Sequence, residues 1–240
     1  MIPSFSTLIT ADRSATDQSA YVTASVTPAA DTVVFLGVVT QITSGTPNTP
    51  TATGGGVATW EVVADILQGQ RRLTVLRAAA GSSPTSGAIT IDYAGQTQTA
   101  CGWHVIQAAD VETGSNGADA VAQTALTHNS TSGTAITWAL ASPWASSDNR
   151  ALLFLYHSAS GVTFTNVSGV SSIGTFSATA PGTCTSFSGR NADSQTLDAS
   201  SSTGGLKLGI AFEVAGAIEV VPDPLTYPRV RVRPLNGRLN

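Results

Sequence analysis

Residues 22–41 read VTASVTPAADTVVFLGVVTQ, which has the grammar of strand, turn, strand. Residues 22–26 alternate apolar and small polar side chains, the period of a strand with one buried face. Thr27-Pro28-Ala29-Ala30-Asp31 is a turn, since proline presets φ and removes a backbone donor. Residues 32–39 are then almost unbroken apolar. A run of that length between turn residues predicts a strand covered on both faces. The same grammar returns at residues 134–158, TAITWALASPWASSDNRALLFLYHS. Pro28 aligns with Pro143, Asp31 with Asp148 and Phe35 with Phe154. Further along, Cys101-Gly102-Trp103 aligns with Leu208-Gly209-Ile210. This ordered series reads as an internal duplication, with halves at about residues 8–111 and 120–217.

Outward from these two stretches the chain is strand and turn at the spacing of a sandwich. Residues 8–11 predict a short edge strand. Residues 44–57, SGTPNTPTATGGGV, predict a long Pro/Gly/Thr loop. Strands are expected at 58–66, 71–79, 88–93 and 99–108, and in the second half at 120–127, 134–141, 151–159, 162–167 and 206–215. Weaker strand signals lie at 174–178, 183–189 and 195–199. Helical propensity is confined to residues 118–126 and 62–71, and is diluted in both. The expected fold is all-β: a two-sheet antiparallel β-sandwich, jelly-roll-like, built from two pseudo-repeated halves related by rough two-fold symmetry. It spans residues 1–219 as one domain, followed by an extended arm at 220–240. Two tandem domains are the less favoured arrangement. The joint at 111–119 has no proline-rich linker, and each half carries long apolar strands that need cover on both faces.

Composition agrees. Of 240 residues, 11% are charged, about half the usual share, and 42% are hydrophobic, enough for a core. Ser, Thr, Ala and Gly make up the difference, which suits strands with a hydroxyl-bearing outer face. Surface helices would need Glu, Lys and Arg on their wet side. Net charge is −4, which speaks against nucleic acid as the partner of the whole chain. Cys101 and Cys184 could form a disulfide; two buried thiols acting as small apolar groups is the preferred reading. No basic n-region precedes an apolar h-region, so the expectation is a chain made and folded in a cytoplasm. No apolar run approaches the roughly 20 residues of a membrane span.

From residue 220 the grammar changes to VVPDPLTYPRVRVRPLNGRLN. Four prolines hold this segment extended. Residues 229–233 alternate Arg and Val, giving one basic and one apolar face. Such a segment suits addition to a neighbour's sheet edge. Tyr227, Arg229, Val230, Arg231, Val232, Arg233 and Leu235 are therefore the candidate partner-binding residues. Arg229, Arg231, Arg233 and Arg238 have no acid among them, so a basic arm follows an acidic body.

Catalytic chemistry is not evident. His104, His128 and His157 are the only histidines, and no G-x-S-x-G elbow accompanies them. No HExxH or CxxC spacing marks a metal site. Gly54-Gly55-Gly56 lacks the lysine and the helix of a phosphate loop. The expectation is no enzyme, no cofactor and no metal. Among Trp60, Trp103, Trp138 and Trp144, the last sits in the turn SPWASSD and is the best candidate for surface contact, with a glycan as the partner it would suit.

The succession TASVTPAADTVVFLGVV, ATWEVVADI, RRLTVLRAAAGSSPTSGAITIDY, GWHVIQAADVE, RALLFLYHSA and LKLGIAFEVAGA resembles a β-sandwich module of tailed-bacteriophage virion proteins and of bacterial surface proteins. The resemblance covers about residues 21–217 and is one of strand and turn, with no catalytic residues to carry over. It implies a virion structural protein used in capsid decoration or head association, or in tail and fibre parts. Its partners would be capsid or tail subunits and further copies of itself. The carbohydrate-binding adhesin is the alternative.

Overall fold

The structure is a computed structural model and describes residues 1–130, 133–166, 169–190 and 195–218. The fold is all-β and sandwich-type, and its antiparallel strands are distributed over four sheets. In the first half the strands are β1 (Ser4–Ser14), β2 (Ala20–Val26), β3 (Val33–Gln41), β4 (Thr51–Gly54), β5 (Glu61–Gln68), β6 (Arg71–Ala79), β7 (Gly87–Asp92) and β8 (Ala100–Ala109). A 3-10 segment, Ser115–Ala120, leads into the second half. There β9 (Val121–Asn129), β10 (Ala135–Ala139), β11 (Arg150–His157), β12 (Phe164–Asn166), β13 (Val170–Ser177), β14 (Thr183–Gly189), β15 (Thr196–Ser201) and β16 (Lys207–Val214) follow.

The two halves have the same topology. In the first, an inner sheet runs β1-β8-β3-β6-β5 and an outer sheet β2-β7-β4; in the second, the inner sheet runs β13-β14-β11-β16-β9 and the outer β10-β15-β12. First pairs with last, second with seventh and third with sixth in both units, the nested pairing of a jelly roll. The fourth and fifth strands do not pair. The fourth stays on the outer sheet, and the fifth folds back on the sixth at the inner sheet's edge.

The two inner sheets lie face to face. The first strand of one unit packs on the fifth of the other, β1 on β13 and β5 on β9, the pattern a two-fold relation generates. Between them is a core contributed by both halves, which includes Phe35, Ile106, Phe154, Tyr156 and Phe212. The Phe35 and Phe212 rings stack at 6.1 Å. Each unit also has its own core between inner and outer sheet. Tyr21, Leu36, Ile91 and Trp103 build the first; Trp138, Leu153, Phe187 and Leu197 build the second. Strands β3 and β11 are thus covered on both faces, which is why they read as unbroken apolar runs. At the crossing of these two strands a Cβ on Gly37 would overlap the Phe154 ring.

Several boundaries differ from the sequence reading. Strand β1 is eleven residues long where residues 8–11 were expected. Its register shifts near Ile9 break the alternation that marks a strand. The loop expected at 44–57 contains β4, which pairs with β7. That hairpin arm ends in three glycines with positive φ, and at Gly56 a Cβ would overlap the Thr85 carbonyl. The diluted helical stretch 118–126 is a 3-10 turn and then strand. Phe35 and Phe154 face the same shared core, as their alignment requires. The alignment of Cys101-Gly102-Trp103 with Leu208-Gly209-Ile210 is out of register. Trp103 faces the first unit's own core, whereas Ile210 faces the shared one.

Candidate functional site

The partner-binding residues expected in the arm, Tyr227, Arg229, Val230, Arg231, Val232, Arg233 and Leu235, lie outside the described residues. The root of the arm lies within them. Strand β16 continues past Val214 into a ladder with the segment joining the two units. Glu112 N donates to Ala215 O at 3.2 Å, Ala217 N to Asp110 O at 2.8 Å, and Val111 bridges Gly216. Ile218 N donates to the Glu112 carboxylate. The Met1 amine donates to Ala217 O at 2.7 Å and pairs with Asp148 at 3.3 Å. That ion pair is half exposed on both sides and contributes little. The backbone contacts fix the root at the seam between units, beside Asp110, Glu112 and Asp148.

The turn that carries Trp144 is held by a buried carboxylate. Glu213 in β16 exposes no surface. Its oxygens accept from Asn149 Nδ2 at 2.6 Å, Gln123 Nε2 at 2.5 Å and the Ala145 N–H at 2.7 Å. A buried charge is retained only when it is multiply hydrogen-bonded in this way. Asn149, also buried, accepts from Gly216 N at 3.2 Å through its other end, and so couples the turn to the root. Trp144 is half-buried against the second unit's own core. The Arg190 guanidinium lies 5.0 Å over its ring and donates to Ser146 O at 2.6 Å. One ring face is therefore already taken by a cation. Sequence reasoning passed over Glu213, Asn149 and Gln123. The available signal was Glu213 itself, a lone acid in the apolar strand LKLGIAFEV.

The histidines do not form a set. His104 (β8) is wholly buried in the shared core. Its Nδ1 meets Ser186 Oγ at 3.1 Å, its ring lies 5.5 Å from Phe176, and Nε2 has no hydrogen-bond partner among the described residues. Burial lowers its pKa to about 4, against a smaller opposing pull from the Cys184 backbone. The Ser–His pair is thus sealed between two sheets with the imidazole neutral. His157 (β11) accepts from Ala159 N at 3.0 Å and contacts Thr203 O at 3.2 Å. Burial and the neighbouring Lys207 charge lower its pKa. Lys207 exposes no surface, donates to Gly133 O and Gly205 O, and has its own pKa lowered by burial. His128 lies exposed on β9. Cys101 and Cys184 are free thiols in different cores, so they form no disulfide. Among the described residues no three His, Cys, Asp or Glu side chains converge as metal ligands, and no helix is long and apolar enough to cross a membrane.

No protein family, no curated protein and no solved structure matches this chain.

Proposed function

We propose that this chain is a non-enzymatic structural protein of a tailed-bacteriophage virion, a capsid decoration or head-associated protein. In this reading it attaches to capsid or tail subunits, or to further copies of itself, through the basic arm that follows Ile218. The observation that carries the reading is the root of that arm, hydrogen-bonded into the seam between two sandwiches that share a core. An extended segment leaving a fixed point on a rigid body reaches a neighbour with less loss of freedom than one leaving a mobile point. Its alternating Arg and Val residues suit a sheet edge with acidic surroundings. The buried polar groups support the same reading, because Glu213, Asn149, His104 and Lys207 are engaged in holding turns and sheets.

The alternative, a carbohydrate-binding adhesin or tail-fibre module with Trp144 as its platform, is weaker at that residue, since Arg190 already occupies a face of the ring. The deciding experiment deletes residues 222–240 and follows incorporation into particles, with thermal melting as the check on the body. Loss of incorporation by a chain that melts like the parent is the expected result. Undiminished incorporation of the truncated chain would overturn the proposal.

A further inference from the structure

The two units share a topology, yet they differ at one corner. In each, the short fourth strand of the outer sheet faces the fifth and sixth strands of the inner sheet. In the first unit this corner is filled. The Arg72 guanidinium is bonded to the Asp65 carboxylate, to Pro47 O at 2.9 Å and to Thr49 Oγ1 at 2.7 Å. Thr74 donates to the other Asp65 oxygen at 2.7 Å, and the Trp60 indole N–H donates to Gly54 O at 3.0 Å. In the second unit the same three strands, β12, β13 and β14, border an open cleft of about 150 Å³.

Its lining is of two kinds. Phe164, Phe187 and Val162 supply apolar surface; Thr163, Ser172, Thr175 and Thr185 supply hydroxyls. Thr175 Oγ1 and Thr185 Oγ1 lie 2.8 Å apart. One of them donates to the other, so the acceptor's own proton is directed elsewhere. The register of β13 against β14 shifts between Ser172 and Gly174, at the cleft. Such irregularities re-aim side chains beside binding sites. Among the described residues, no ionisable side chain lines the cleft. Its volume is close to one that takes a single benzene-sized ring, about 150 Å³.

We infer that this cleft binds one neutral, hydroxyl-bearing six-membered ring, a single uncharged sugar residue, with its C–H face on Phe164, which Phe187 backs from the core, and its hydroxyls on Ser172, Thr175 and Thr185. A lining that carries no charge among its described residues does not offset the desolvation of a phosphate, carboxylate or amine. Serine and threonine hydroxyls both donate and accept, and so match ring hydroxyls in either orientation. Trp144 does not line the site, and the inference does not depend on the chain being a virion component.

The test is saturation-transfer NMR on the full chain with neutral methyl hexopyranosides, against Phe164→Ala, Thr185→Val and Ser172→Tyr variants checked by thermal melting. Saturable binding with a millimolar Kd is expected for a ligand this small. Phe164→Ala and Thr185→Val should each weaken it by about tenfold or more. Ser172→Tyr changes an exposed position and should block the cleft even if a core substitution unfolds the protein. No saturable binding up to about 50 mM, binding unchanged by Ser172→Tyr, or binding of apolar rings alone would each overturn the inference.

Discussion

Acid should destabilise this protein through His104 in a defined window. The imidazole exposes no surface, and its pKa in the folded chain is about 4 against an ordinary 6.5. The folded state therefore holds fewer protons on this group than the unfolded state between those values. Stability rises with pH wherever the unfolded state binds more protons, so it falls as pH drops from about 6.5 toward 4. With one pKa unit equal to about 1.4 kcal/mol, the loss is about 1 kcal/mol at pH 5.5 and about 3 kcal/mol at pH 4. Below pH 4 the term levels off. The Cys184 backbone pulls weakly the other way, and the Cys184 thiol, which burial pushes up to about 12, stays neutral throughout this range. Carboxylates elsewhere also titrate in this range, and comparison with His104→Gln removes them. Urea unfolding of both proteins at pH 7, 5.5 and 4 gives the difference directly. The gap between variant and parent should move in the variant's favour by about 3 kcal/mol from pH 7 to pH 4. A gap that stays flat would refute the reasoning, because the imidazole would then not be held neutral by burial. A gap that closes its change by pH 6 would show that water reaches the ring.

Three further outcomes follow from the packing. Gly37→Ala places a methyl against the Phe154 ring in the shared core and should destabilise by about 1–3 kcal/mol; Phe154→Leu in the same chain should recover part of that loss in urea unfolding, as coupled neighbours do. Glu213→Leu leaves Asn149 Nδ2 and the Ala145 N–H without their acceptor and removes one of the two that Gln123 Nε2 uses, which should cost about 1–3 kcal/mol for each orphaned donor, while limited proteolysis should show earlier cutting at the 142–149 turn. Cys101 and Cys184 are buried thiols with pKa values raised to about 12, so a thiol reagent at pH 8 should label neither in the folded protein and both after denaturation; native labelling would contradict their burial.

How much of this was legible in the chain depended on how local the cause was. The apolar runs of β3 and β11 announced themselves because both of their faces are buried, and the Pro28 and Pro143 turns marked where each begins. The division into four sheets was not legible. Whether a strand joins an inner or an outer sheet is decided by pairing across the whole unit, as between β1 and β8 or β9 and β16. Strand β4 was hidden because four residues among prolines and glycines carry too little periodicity. The site elements were harder still. Glu213 could be singled out as an acid in an apolar strand, but its donors come from β9, from the turn at Ala145 and from Asn149. The cleft is assembled from hydroxyls on β13, β14 and the segment before β12, and serine or threonine in a strand has no distinguishing pattern.

The two-fold stacking also limits where a partner can bind. Each inner sheet has one face on its own outer sheet and the other on its twin, so neither large inner face remains for a ligand. What remains is the outer sheets, the sheet edges, the corners and the arm. Duplication makes the corners a natural place for new chemistry. Both units need the inner-sheet faces to stay apolar, since a substitution there disturbs a core used by two halves. The fourth-strand corner is used by one unit alone and tolerates change. The first unit has closed its corner with an ion pair and a tryptophan. The second has kept hydroxyls and phenylalanines in an open one. Transplanting the closure tests this directly. Ser172→Arg with Thr175→Asp should place opposite charges at two exposed positions that both line the cleft and abolish ring binding, while the melting temperature should stay within a few degrees of the parent, because neither side chain is buried. A large fall in melting temperature would show that the corner is part of the scaffold after all.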